Sequence, residues 1–148
     1  MAKGKKIVEM ALAAALFAGC AGTVVAQDVA GAITARKAAM KQVGIASVKL
    51  RSPSLTGADA RAAGTNIGNH TKTFAANLPK GSGPESGQTT KALPAIWTNA
   101  AGWKAEMDKA TKANAALAKV SDDPAAIKAA AAAVSATCTS CHDKFRAK

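Results

Sequence analysis

Tyrosine is absent from this sequence, and two tryptophans and three phenylalanines supply its whole aromatic content. Single-stranded nucleic acid is gripped by stacking on aromatic rings, so this scarcity speaks against a nucleic-acid partner. Runs of β-branched residues are missing as well, while alanine is everywhere, which favours helix and disfavours sheet. Three cysteines are too few, and two of them too close together, for a secreted domain stapled by disulfides. No apolar run is long enough to span a bilayer: the one near Ile7 to Ala18 is short and is interrupted by Glu9. No internal repeat is visible. Acidic residues are also scarce, nine Asp plus Glu against twenty Lys plus Arg in 148 residues.

What is present begins with MAKGKKIVEMALAAALFAGCAGTVVAQ. Lys3, Lys5 and Lys6, the apolar run and the small residues Val24 and Ala26 are the three parts of a secretory signal. Residues 1–26 are therefore expected to be a signal peptide, leaving a folded domain over 27–148 in the periplasm. A narrower alternative reads Phe17-Ala18-Gly19-Cys20 as a lipoprotein box, with Cys20 lipidated and retained. Loss of the leader leaves 17 basic and 8 acidic residues. Such a domain suits an anionic partner, either an acidic redox protein or a membrane face.

Helical periodicity marks four segments. The first covers about 29–48, with Val29, Ile33, Met40 and Val43 at roughly heptad spacing and Arg36 completing the band as a charge that needs an inward partner. Thr56-Gly57-Ala58-Asp59 resembles a capping box and opens the second, which runs to Leu78 before Pro79 and Gly81. Gly64 and Gly68 share one face there and would admit another backbone, from a neighbouring helix or subunit. Residues 79–93, PKGSGPESGQTTKAL, read as a long polar loop. A single third helix is expected from Pro94 through Trp97, Trp103 and Met107 to Leu117. Ser121-Asp122-Asp123-Pro124 caps the fourth, which runs to the chain end. The expected fold is all-α, an antiparallel four-helix bundle.

The last of these helices carries CTSCH. At helical spacing Cys138, Cys141 and His142 project from one face. Two thiols so placed can add to the two vinyl groups of one haem while the adjoining imidazole reaches its iron, the arrangement of a c-type attachment site. A zinc site would need more ligands than His70 can add. A thioredoxin-like couple would need a neighbouring strand. Small residues in AAIKAAAAAVSATC leave room beside the motif for a flat macrocycle.

The C-terminal CTSCHDKFR, the ALPAIWTNAAGWK stretch and ARKAAMK in the first helix together resemble the cytochrome c′ family of exported four-helix monohaem cytochromes, over essentially all of 27–148. The resemblance implies one covalent haem c per chain. It gives Cys138 and Cys141 as the thioether pair, His142 as the proximal iron ligand and Arg146 as a basic residue beside it. It further implies that Arg36 meets a haem propionate, that Trp97 packs close by and that an aromatic belongs at Phe145. Met40 falls where some relatives place a sixth iron ligand and others a bulky side chain that does not bond.

The favoured reading is electron transfer, without substrate turnover, with an acidic redox protein or a membrane-bound electron-transfer complex as partner. The alternatives are a five-coordinate protein binding nitric oxide or carbon monoxide, and a zinc-binding or structural bundle using His70. Family members often dimerise through the first two helices, and Gly64 and Gly68 suggest the same arrangement here.

Overall fold

The computed structural model describes residues 28–148. The expected signal peptide and Cys20 lie outside the described residues. The first helix, α1, spans Val29–Lys49. It gives way to a tight turn before Pro53, where Arg51 N–H donates to the Val48 carbonyl at 3.1 Å and Ser52 N–H to that of Lys49 at 3.0 Å. Helix α2, Gly57–Ala76, starts where the capping pattern predicts. The Thr56 hydroxyl accepts from Asp59 N–H at 3.1 Å and donates to the Asp59 carboxylate at 2.7 Å.

A long connection follows, containing one 3₁₀ turn at Pro84–Ser86 and positive φ angles at Gly81 and Gly87. Its far end is stitched to the C-terminus. Leu93 N–H donates to the Phe145 carbonyl at 3.0 Å, and Ala147 N–H donates to that of Lys91 at 2.8 Å. These bonds flank an isolated antiparallel bridge between Ala92 and Arg146.

The third segment departs from expectation. It is two helices, α3 at Ala95–Thr98 and α4 at Ala100–Leu117. Asn99 breaks them with φ −120° and ψ 62°, and its side-chain oxygen accepts from Gly102 N–H at 3.0 Å. An asparagine carbonyl here stands in for a backbone acceptor, so the chain restarts a helix where the apolar pattern alone implies continuity. The last helix, α5, spans Pro124–Phe145. Its Asp123 cap accepts from Ala125 and Ala126 N–H at 3.3 and 3.0 Å, and Pro124 occupies the first turn, where no N–H is missed.

With α3 and α4 taken as one interrupted rod, the architecture is the expected antiparallel four-helix bundle. Helix α1 packs on α2, α2 on α4 and α4 on α5. Ile67, Leu117 and Val134 form the centre of the main core with Ala46, Ala60 and Ile127. Gly64 makes the α2–α4 approach possible. A Cβ there would lie 2.6 Å from the Ala118 amide nitrogen and 2.9 Å from the Leu117 carbonyl carbon. A Cβ at Gly68 would sit 3.6 Å from that of Asn114. Both glycines therefore face a helix of their own chain, the first of the two uses expected for them. Among the described helices none is long and apolar enough to cross a membrane.

Candidate cofactor site

The chain of packed pairs leaves a seam between α1 and α5, and a cavity of about 810 Å³ opens in it. That volume is within the range of small-molecule and cofactor sites. Arg36, Met40 and Val43 line it from α1, and Cys138, Cys141 and His142 from α5. Ile67 and Phe74 of α2 and Trp103 and Met107 of α4 supply most of its apolar floor. Five of the sequence-predicted residues thus reach one space from helices far apart in sequence. Arg146 does so too, although it lies just beyond α5 in extended backbone.

The two thiols are free and half-buried. Burial pushes the Cys138 thiol up, and burial together with the Glu106 charge pushes Cys141 to about 11, so both stay protonated at neutral pH. The His142 imidazole is lowered, first by burial and then by the Arg146 cation, against a weaker pull from Asp143. It is therefore neutral at pH 7, the form with a lone pair for a metal. Neutral donors on one helix face, above an apolar floor, fit a covalently attached porphyrin. They fit zinc poorly. His70 does not line the cavity, and among the described residues no three His, Cys, Asp or Glu side chains cluster to hold a metal ion.

Arg36 has found its inward partner in the long loop. The residue is 2% exposed, and its guanidinium donates to the Ser82 hydroxyl at 2.7 Å, the Ser82 carbonyl at 2.6 Å and the Thr90 hydroxyl at 2.7 Å. Burial lowers its pKa, against the pull of Glu85. Trp97 stands behind it. The Arg36 guanidinium carbon is 6.0 Å from the Trp97 ring centroid, and the indole N–H donates to the Leu78 carbonyl at 3.1 Å. Trp97 itself does not line the cavity. Trp103 does, in an aromatic row with Phe74 at 5.9 Å and Phe145 at 5.3 Å between ring centroids.

The small residues before the motif line a space of their own. Ala131 and Ala132 line a second cleft of about 830 Å³ toward the α1–α2 turn, which shares Ser47, Arg51, Ser135 and Cys138 with the first. That cleft reaches the motif at Cys138, so the α1–α5 seam and the alanine run both leave space beside it.

One residue of the cavity has no counterpart in the sequence reading. Glu106 of α4 is buried, and one of its oxygens accepts from Lys144 at 2.5 Å and Lys109 at 3.0 Å. Lys144, then Lys109, with the Ser140 hydroxyl, draw its carboxyl down to about 2 against the opposing effect of burial. Its other oxygen is buried without a hydrogen-bond partner. Glu106 follows Trp103 by three positions, so the helical stripe points to its burial, but nothing local announces its lysine 38 residues away.

A sequence model described as Cytochrome C′ matches residues 31–146 of this chain. Cytochrome c-556 of Agrobacterium fabrum is 35% identical over 145 residues, which are 93% of this chain and 94% of that protein. Among solved structures, cytochrome c′ from Rubrivivax gelatinosus superposes with a TM-score of 0.72 at 28% identity, over 82% of this chain and 98% of the other. Cytochrome c′ from Rhodopseudomonas palustris superposes with a TM-score of 0.71 at 32% identity, over 79% and 96%.

Proposed function

The chain belongs to the cytochrome c′ family, with one covalent haem c per chain, and from that premise we propose that it is a periplasmic electron carrier rather than an enzyme. In this reading Cys138 and Cys141 hold the haem as thioethers, His142 is the proximal iron ligand and Met40 is the sixth ligand. The observation that carries it is that Met40 on α1 and His142 on α5 line one cavity across the seam between their helices. When bound, the haem supplies a one-electron change between ferric and ferrous iron.

The chain does the rest. Helix α5 sets the imidazole directly after the second attachment point, and the row of Phe74, Trp103 and Phe145 gives the cavity an apolar lining. Arg36 and Arg146 offer cations to the haem carboxylates, with Arg36 held in place by Ser82, Thr90 and Trp97. Lys37, Lys41 and Lys91 add positive charge around the cavity, which suits an acidic redox protein or the acidic face of a membrane-bound complex. Export rests on the leader of residues 1–26. A homodimer through the first two helices is supported by Ile45 and Val48 of α1, which are 51% and 60% exposed.

A second reading has its own support. Val43, Ile67 and Phe74 make the α1–α2 side of the cavity apolar, a setting equally suited to nitric oxide or carbon monoxide at a five-coordinate iron. Absorption and electron paramagnetic resonance spectra of the ferric and ferrous protein, with and without Met40→Ala, separate the two. A low-spin ferric signal lost in the variant is the expected result. A high-spin signal already present in the wild type would refute ligation by Met40 and select gas binding.

A further inference from the structure

Among the described residues Glu106 is the one acidic side chain lining the cavity, and its two counter-ions are far more exposed than it is. Its side chain is 2% exposed, whereas those of Lys109 and Lys144, which neutralise it, are 57% and 53% exposed. Charges in contact with water are screened by solvent and salt, and a charge enclosed by protein is not. Both lysines also bind the same oxygen, leaving the other buried and unpartnered. Glu106 lines the cavity, whereas neither of its counter-ions does. Arg36 on α1 is the corresponding buried cation across the same space.

We propose that Glu106 sets the reduction potential of the haem, its desolvated carboxylate favouring the ferric form and holding the potential below the value the apolar walls alone would give. The inference rests on haem attachment at Cys138 and Cys141, and it makes Glu106 a tuning residue that does not touch the iron. Lys109 and Lys144 moderate the effect from the wet side. Because a nearby anion stabilises the more positive oxidation state, its removal shifts the potential upward.

Spectroelectrochemical titration of the haem-loaded wild type, Glu106→Gln and Lys109→Gln tests this, in dilute buffer and again in about 1 M salt, where the screening length falls to roughly 3 Å. Glu106→Gln is expected to move the midpoint upward by the same amount in both media, with the absorption and resonance signatures of the iron unchanged. Lys109→Gln is expected to move it downward in dilute buffer, and less so in salt. An unchanged or lowered midpoint in Glu106→Gln, or a shift that vanishes in salt, overturns the proposal. If Glu106→Gln does not fold, Lys109→Gln decides alone, and an unmoved midpoint in dilute buffer overturns it. A wild type carrying no covalent haem on a denaturing gel refutes the attachment reading beneath it, an outcome distinct from any of these shifts.

Discussion

Replacing Arg36 by methionine, a side chain of similar reach without donors, would test whether the long loop is held to the bundle by one buried cation. The wild-type guanidinium makes three bonds of 2.6 to 2.7 Å to Ser82 and Thr90 and pairs with no carboxylate among the described residues. Ser82 is wholly buried, so losing the donor strands its carbonyl and weakens the satisfaction of its hydroxyl. Each stranded group costs about 1–3 kcal/mol. Relief from burying an unpaired cation returns part of that, so the net loss is about 2 kcal/mol. For a domain of this size the midpoint of thermal unfolding should fall by roughly 6–8 °C. Circular dichroism melting of the haem-loaded protein measures the global term. Trypsin measures the local one, since Lys80 and Lys91 are exposed in the loop and its near end and should be cut faster once the loop is released. A melting midpoint within about 1 °C of wild type, with unchanged cleavage at both lysines, would refute the reasoning.

Three further outcomes follow from contacts elsewhere. Gly64→Ala should destabilise the bundle by about 1–3 kcal/mol in chemical denaturation, because its Cβ would meet the backbone of α4 and no flexible side chain can give way. Leu117→Ala, at the centre of the main core, should cost about 2–5 kcal/mol in the same assay. The Glu106 carboxyl, lowered to about 2 from an ordinary 4.5, holds its proton less tightly when folded; its stabilising contribution is complete above pH 4.5 and lost as pH falls toward 2. Glu106→Gln should therefore flatten the acid limb of the stability profile in that window, as read by denaturant titration at successive pH values.

The parts of the molecule legible in the sequence are those whose chemistry is local. A thioether pair and its adjoining imidazole must sit within five residues, so CTSCH carries the cofactor reading by itself. The caps at Thr56 and Asp123 act over two or three residues, and both helices begin where those patterns place them. The break at Asn99 is equally local but runs against a stronger signal. The apolar stripe continues through it, and the choice between an extended rod and a restarted helix depends on where one side-chain oxygen finds a donor. The two tryptophans illustrate the next level. Both lie on an inner stripe, yet Trp103 lines the cavity while Trp97 braces Arg36, the two standing on opposite sides of the break at Asn99.

The two buried charges belong to a third level. Arg36 binds groups 46 and 54 residues away, and Glu106 binds Lys144 38 residues away. Helical periodicity places each on an inner face but says nothing about what it meets there. Their partners also differ in kind, and that difference bears on function. Arg36 is hydrogen-bonded to neutral oxygens of a loop and forms no ion pair among the described residues, with only the longer-range pull of Glu85 set against its charge. Glu106 is paired with two cations whose side chains are more than half exposed, and of the three only Glu106 lines the cavity. A haem in this cavity would share it with buried charges of opposite sign carried by α1 and α4. Arg36→Met and Glu106→Gln should therefore move its potential in opposite directions, downward and upward, and shifts of the same sign would mean that general loosening of the site, not charge, governs the iron.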